Sequence, residues 1–351
     1  MNESLDAVAG RRTCGDDVRR EGRLMPFDRR RTPGPTPSLL AVAAFVFGLA
    51  FSGLAQAPEE SPEIQRHVAT ARQLADARYA NGVERMCAPP ESRSRPDFED
   101  RTIEPVKLFD NVYFVGFKNV YAWAVDTPAG IVLLDALDTP EDADTTIAVG
   151  LATLGLDPSR VSHVIVSHGH RDHYGGASYF QQRYGARVLA SDKDWDLIAE
   201  TEARRDPADR IRLTRDMSVS DGHVLTVGGT RFALLITPGH TEGALTVIFP
   251  VTDQGRPHVV AVLNGPRVTS LETTRQMIAS TQRIARAARE AGVDVEFINH
   301  SYIDDSLPII EATRNRTPGE AHPFVIGEEG FQRFAGWMIE CLTAEALRRA
   351  N

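Results

Sequence analysis

Hydrophobic residues recur along the chain in short runs, and between several of those runs they recur three and four positions apart. Runs rich in Val, Ile and Phe predict buried strands, whereas the wider spacing predicts helices with one apolar face. The predicted strands are 106–109, 112–115, 122–125, 131–134, 164–166, 187–190, 224–227, 232–236, 244–249, 259–263 and 295–298, and the predicted helices are 63–79, 140–154, 177–184, 192–202, 271–291 and 328–349. Hairpins and helices interleave, which predicts an α/β (α+β) protein with two sheets and helices outside them.

The first 55 residues have a different pattern, typical of an export signal. Three arginines (29–31) precede an apolar run (39–54) and then small residues, and Met25 is an alternative start. The other interpretation, a membrane anchor, needs about 20 apolar residues, and this run is shorter. We therefore expect a periplasmic or secreted protein with no stable membrane anchor after the signal is removed. The predicted organisation is an N-terminal extension and signal peptide (1–55), a helical or irregular arm (56–102) and a catalytic domain (103–351).

The net charge limits the kinds of binding partner to expect, and the cysteine content bears on the redox environment of the protein. The net charge is −9 and no basic stripe is present, so we expect no nucleic-acid partner. Beyond the extension the chain has two cysteines, Cys87 and Cys341. An exported protein permits a disulfide between them, and two buried thiols are the alternative.

The predicted strand 164–166 runs directly into a cluster of metal-ligand side chains: His168, His170, Asp172 and His173. Imidazole and carboxylate are ligands that zinc accepts. His168 and His170 can face one ion, while Asp172 and His173 can face a second. The alternative is a polar loop whose histidines form only local hydrogen bonds, but four such residues at the end of one apolar strand favour a metal site.

Two more histidines, His240 and His300, also follow directly after predicted strands. Loops at one edge of a sheet scaffold can converge on a common site. A lone histidine after a strand is more often structural, but the first cluster makes both of these candidates for the same site.

The run from His168 to His173 resembles the His-X-His-X-Asp-His signature of the metallo-β-lactamase superfamily, and Thr-Pro-Gly-His-Thr at 237–241 resembles its next metal motif. The similarity extends over roughly residues 103–347, and the order of His240 and His300 is most like the third subclass of class B β-lactamases. The resemblance implies a four-layer αβ/βα sandwich with two zinc ions at one edge. It also implies the two ligand sets, which are His168, His170 and His240 for the first zinc and Asp172, His173 and His300 for the second.

The chain departs from its relatives at residues 262–267. Thioesterases of this superfamily have a bridging Asp there and the first two lactamase subclasses have a Cys, whereas this chain has neither. The third subclass usually has serines that contact the substrate carboxylate, where this chain has Gly265 and Arg267. Arg267 is therefore predicted to bind a carboxylate, and an exposed arginine without a partner is the alternative. Family analogy also places Tyr121 and Trp123 over the cleft as substrate contacts.

The predicted function is an exported, zinc-dependent hydrolase of β-lactamase type acting on a small molecule. In this prediction a zinc-bound hydroxide attacks a cyclic amide, Asp172 orients the nucleophile and Tyr302 donates to the oxyanion. Ordinary packing is the alternative role for Tyr302. Two other functions stay open: hydrolysis of a lactone, ester or thioester at the same site, and zinc binding without catalysis.

Overall fold

The computed structural model describes residues 60–93 and 97–350. The predicted extension and signal peptide lie outside the described residues. Within the described part, twelve strands form two sheets. They are β1 (Val106–Phe109), β2 (Val112–Phe114), β3 (Trp123–Thr127), β4 (Gly130–Leu134), β5 (Val161–Ile165), β6 (Arg187–Ser191), β7 (Met217–Val219), β8 (His223–Val227), β9 (Thr230–Ile236), β10 (Leu245–Asp253), β11 (Arg256–Leu263) and β12 (Val295–Ile298).

Both sheets are mixed. The first runs in the order β1-β2-β3-β4-β5-β6-β7, antiparallel from β1 to β4 and parallel from β4 to β7. The second runs β12-β11-β10-β9-β8, with β11 and β12 parallel and the other pairs antiparallel. Parallel neighbours end at the same edge of a sheet, so the loops that follow them lie side by side.

Helices cover the outer face of each sheet. They are α1 (Pro62–Leu74), α2 (Ala80–Cys87), α3 (Pro140–Asp142), α4 (Val149–Thr153), α5 (Arg171–Tyr174), α6 (Ala177–Tyr184), α7 (Asp192–Ala203), α8 (Leu271–Ala291), α9 (Ser301–Asp304), α10 (Ser306–Arg314) and α11 (Gly327–Ala350). A π-helical segment, Ala143–Ala148, joins α3 to α4, so the predicted helix 140–154 is continuous but not α-helical throughout.

Three large apolar clusters separate four layers. Strand β4 illustrates this layering, because all five of its residues are buried and each of its two faces contacts a different core. Its side chains alternate between two faces: Val132 and Leu134 enter the core between the sheets, while Ile131 and Leu133 enter the core under the helices. A third cluster packs the second sheet against α8 and α11. The predicted helix–sheet–sheet–helix sandwich is confirmed.

Several predicted boundaries differ from the structure for identifiable reasons. The predicted helix 63–79 ends at Leu74, because Asp76 caps a new 3₁₀ turn by accepting a hydrogen bond from the backbone N–H of Arg78. Strand β5 begins at Val161, three residues before the predicted start, because the strand includes the polar residues Ser162 and His163, which interrupt the apolar run. Strand β7 and helices α2, α5, α9 and α10 were not predicted, since each is short or lacks a clear apolar period.

The arm, residues 60–93 of the described chain, belongs to the same compact unit as the two sheets. A disulfide joins Cys87 at the end of α2 to Cys341 in α11, with the two Cα atoms 4.5 Å apart. Of the two alternatives left open for these cysteines, the structure has the pair. No helix within the described residues is long and apolar enough to cross a membrane.

Candidate metal centre

The candidate ligands lie in loops at one edge of the sandwich. His168, His170, Asp172 and His173 follow β5, and His240 follows β9. His300 follows β12 in the second sheet. The six side chains form two groups of three, and within each group the ligand atoms lie within 4.8 Å of one another. These groups are the two predicted sets, and their metal binding itself stays a prediction.

The first group, called triad A, consists of His168, His170 and His240. Nδ1 of His170 lies 3.0 Å from Nε2 of His240. The ring of His168 stands nearly perpendicular to the other two, with ring centroids 4.8 Å from His170 and 4.6 Å from His240. Three nitrogens therefore converge on one small space.

The second group, called triad B, consists of Asp172, His173 and His300. The Nε2 atoms of His173 and His300 lie 3.2 Å apart. Oδ2 of Asp172 lies 3.5 Å from the first and 3.6 Å from the second. The rings of His168 and His173 are 3.9 Å apart between centroids, so the two triads are direct neighbours.

The donor atoms fit metal ions. Nε2 of His168 is buried and has no hydrogen-bond partner among the described residues. A buried polar atom without a partner is costly, and a cation is the partner that a nitrogen lone pair would take. The set of five imidazoles and one carboxylate without thiolate suits zinc.

Each of four ligand rings is oriented by a hydrogen bond from its other nitrogen, as metal-binding histidines commonly are. Nδ1 of His173 lies 2.7 Å from Oδ2 of Asp135, and Nδ1 of His168 lies 3.0 Å from Oδ1 of Asn264. The backbone carbonyls hold the other two rings, Arg267 O at 2.8 Å from Nδ1 of His240 and Asn119 O at 2.7 Å from Nδ1 of His300. These contacts leave the Nε2 atoms of all four rings facing the site.

The electrostatics favour neutral imidazoles at His168, His240 and His300, and positive charge on His173 beside its anionic carboxylates. Burial lowers the pKa of His240 to about 4 and that of His300 to about 3, and burial with neighbouring imidazoles lowers that of His168. Burial opposes a charge on His173, but Asp135 and Asp172 outweigh it and raise its pKa to about 10. His173 and His300 hold the pKa of Asp172 well below its usual range despite its burial. The carboxylates thus favour positive charge at triad B.

Asp135, which the sequence analysis did not identify, is the main support of triad B. Its carboxylate is 1% exposed and accepts hydrogen bonds from the backbone and hydroxyl of Ser167 and from the amide of Asn299, besides its contact with His173. Asp135, Asn264 and Asn299 each come directly after an apolar strand. Their position directly after an apolar strand is the sequence feature by which these three residues could have been identified.

Two predicted substrate contacts are wrong. Tyr121 and Trp123 are 0% and 1% exposed, so neither can touch a substrate. The ring of Trp123 stacks on Phe297 between the sheets, with centroids 4.3 Å apart. The hydroxyl of Tyr121 accepts a hydrogen bond from Ser306. Both side chains follow the alternation of β3 and its preceding turn into the core between the sheets, which the apolar pattern alone does not distinguish from a cleft.

Arg267 and Tyr302 do lie beside the site. Arg267 is exposed and lines a cleft of 610 Å³ that opens onto His170 and His240. The ring of Tyr302 stacks on His300 with centroids 5.0 Å apart. Their predicted roles with substrate stay predictions. The opposite wall of the cleft is α7, whose Asp194 has its pKa raised to about 6 by burial.

Comparison with known proteins agrees with this architecture. Residues 115–253 match the metallo-beta-lactamase superfamily. Among curated proteins, the chain is 28% identical over 130 residues to a hydroxyacylglutathione hydrolase of Acidiphilium cryptum and 31% identical over 114 residues to one of Rhodopseudomonas palustris. These matches cover 37% and 32% of this chain, and only 44% and 37% of the relatives' own length.

Solved structures show the same fold over more of the chain. The FEZ-1 metallo-β-lactamase from Legionella gormanii superposes with a TM-score of 0.62 at 19% identity, covering 73% of this chain and 100% of that one. BJP-1, a subclass B3 metallo-β-lactamase of Bradyrhizobium japonicum, gives a TM-score of 0.58 at 22% identity over 72% and 96%. Residues 115–253 are thus similar in sequence to the metallo-β-lactamase superfamily, and the sandwich has the fold of the solved metallo-β-lactamases.

Proposed function

We propose that this protein is an exported metallo-hydrolase that binds two zinc ions and opens a cyclic amide of β-lactam type. The observation that supports it most is the pair of adjacent triads, five imidazoles and one carboxylate, held by hydrogen bonds from behind. In this proposal His168, His170 and His240 hold one ion and Asp172, His173 and His300 hold the other. When bound, the ions would supply an acidified water molecule and would polarise the scissile carbonyl.

The chain's own residues would orient the reactants. The carboxylate of Asp172 stays ionised at neutral pH, so it acts as a hydrogen-bond acceptor and not as an acid. With Oδ2 directed at His173 and His300, the other oxygen of Asp172 would orient the attacking water. The hydroxyl of Tyr302, beside His300, would donate a hydrogen bond to the oxygen that gains charge.

A second candidate is hydrolysis of a thioester, because the curated relatives named above are hydroxyacylglutathione hydrolases. The position of Asn264 favours the first candidate. Its amide oxygen contacts Nδ1 of His168, behind the ring, and its nitrogen bonds the carbonyl of Leu245. It therefore lies outside the space between the triads, where the bridging Asp of thioesterases would be.

Export is part of the proposal. The disulfide between Cys87 and Cys341 is consistent with it, because disulfides persist in oxidising compartments outside the cytosol. Cell fractionation followed by mass measurement of the purified protein tests this point. A protein recovered from the periplasm or medium without its first ~55 residues is expected, and an intact cytosolic chain would contradict export.

A substrate panel tests the reaction. Zinc-loaded mature protein is assayed with nitrocefin, a carbapenem, an acyl-homoserine lactone and a hydroxyacylglutathione thioester, each with and without chelator. Asp172→Ala is the blank. Chelator-sensitive opening of the lactams supports the first candidate, and turnover of the thioester alone supports the second. Two bound zinc ions with no turnover of any substrate would indicate a zinc-binding protein without catalysis.

A further inference from the structure

A second cavity, of 390 Å³, lies on the triad B side of the site. Its volume is within the usual range of small-molecule sites. Four parts of the chain form its walls: the arm at 85–93, the segment 266–269, the start of α9, and α11. Much of the lining is apolar, contributed by Met86, Pro90, Pro266, Val268, Ile303 and Leu342.

The arm forms a preformed wall of this cavity, here called the arm cavity. Helix α2 packs so closely on α9 that a Cβ on Gly82 would lie 2.1 Å from the carbonyl oxygen of Ile303. Arg85, one turn later, donates from Nε to the carbonyl of Tyr302 at 2.6 Å and bonds Asp305 through Nη2 at 2.5 Å. These contacts attach the arm to the helix that follows His300.

Gly265 lies where the arm cavity meets triad B. A Cβ at this position would lie 3.3 Å from Cδ1 of Ile303, 3.7 Å from Cδ2 of His300 and 3.7 Å from the hydroxyl of Tyr302. Two of those residues line the arm cavity and the third is a predicted zinc ligand. A large side chain at 265 would therefore displace residues that line the arm cavity and press on the ring of His300, whereas glycine leaves them in place.

The charges around the arm cavity suit an apolar occupant with a polar end. Arg93 and Arg349 both pair with Glu345, which is 0% exposed, so these two cations share one buried carboxylate. Arg267 is different. It lines both the arm cavity and the larger cleft, and its guanidinium has no ion pair or hydrogen bond within residues 60–93 and 97–350.

We propose that the arm cavity binds an apolar acyl or aryl group of the substrate while the scissile bond lies at the two triads, with Arg267 and Thr269, which line both the arm cavity and the larger cleft, at the junction. This inference rests on the proposed function. Arg267 would then bind an oxygen of the substrate at the entrance. The opposite cleft, lined by Lys193, Asp196, Glu200 and Glu242, would receive the polar part. The protein thus selects substrates by the size of one apolar group.

Binding of unreactive amides tests the cavity without depending on turnover. Butanamide and octanamide are titrated against the full zinc-loaded protein, and dissociation constants are measured by ligand-observed NMR. Complete burial of one methylene tightens binding by about fourfold, so partial burial of the four additional ones predicts that octanamide binds more than about tenfold tighter. Equal binding of the two amides would overturn the proposal.

Variants locate the binding site. Gly265→Leu should displace Ile303 and Tyr302 and reduce the preference for octanamide to less than about threefold, whereas Gly265→Ala should retain most of it because its Cβ needs only a small shift of the Ile303 side-chain end, 3.3 Å away. Met86→Ala, on the arm and away from the ligands, should weaken octanamide more than butanamide. Arg231→Ala, an exposed arginine at the start of β9, is the control and should change neither. An unchanged preference in both Gly265→Leu and Met86→Ala would place the binding elsewhere.

Turnover then separates this inference from the proposed function. Esters with two-carbon and eight-carbon acyl groups are assayed with wild type and Met86→Ala. Chelator-sensitive hydrolysis without dependence on chain length keeps the hydrolase and overturns the arm cavity as a substrate site. Binding of octanamide that depends on Gly265 and Met86, with no hydrolysis of any substrate, keeps the cavity and overturns the proposed function.

Discussion

Replacing Asp135 by Asn should loosen triad B while leaving the fold intact. Asp135 accepts four hydrogen bonds between 2.7 and 2.8 Å, from Ser167 (two), Asn299 and His173. An amide of the same shape offers one oxygen, so at least one donor faces an NH₂ group and the remaining bonds lose their charge. Asn also tolerates the left-handed backbone of this residue, where φ is 64°. The substitution therefore isolates the hydrogen bonds from backbone strain.

The magnitude follows from the buried charge-assisted bonds. Each is worth about 1.5–3 kcal/mol, so losing one and weakening the others should lower the free energy of unfolding by about 2–4 kcal/mol. Loss of the group that orients His173 should also weaken zinc binding about 10- to 100-fold. Urea unfolding at pH 7 gives the first quantity, and competition with a chromophoric chelator gives the second.

The matched control is Asp110→Asn. Asp110 is exposed and accepts two hydrogen bonds, from the backbone of Gln254 and Gly255 in a turn at the end of β10 away from the site. Its loss should cost less than about 1 kcal/mol and leave zinc affinity unchanged. If Asp135→Asn matched this control in both measurements, the reasoning that Asp135 supports triad B would be refuted.

Three further predictions concern other parts of the molecule. Asp172→Ala should reduce bound zinc from two ions to one and lower kcat/KM by about 10²–10⁴, as metal analysis and kinetics would show, and a variant with two zinc ions would contradict this. Replacing both Cys87 and Cys341 by Ser should lower the free energy of unfolding by about 2–5 kcal/mol, a loss that reductant should reproduce in wild type. Arg316 holds the pKa of Asp253 below its usual value through two hydrogen bonds of 2.6 and 2.7 Å, so this pair stabilises the fold above the unfolded pKa of about 4 and loses that effect as pH falls through the folded pKa. The destabilisation by Arg316→Ala at pH 7 should therefore disappear in acid, and a constant difference across that range would contradict it.

Much of the candidate site was predictable because its chemistry is local in sequence. The segment from His168 to His173 places four ligand-type residues after one strand, and spacing alone indicates a metal site. The positions of His240 and His300 after predicted strands made both candidates for the same site, the resemblance to a known superfamily assigned the six residues to two sets, and the structure brings all six together. The substrate contacts were less predictable. Tyr121 and Trp123 lie in an apolar stretch whose burial depends on a second sheet packed above it.

By itself the sequence determined most of the strands and helices and the residue types that stand at the strand ends. Both depend only on residues close together along the chain. Tertiary structure alone decided which of those ends meet. The ring of His300 reaches His173 across 127 residues, and Cys87 reaches Cys341 across 254. Such pairings depend on how the two sheets stack. A strand that is buried on both faces, such as β4, has no alternation of apolar and polar residues, so its sequence does not show which face packs against the other sheet and which against the helices. The arm cavity depends on stacking in the same way, because its walls come from both ends of the chain.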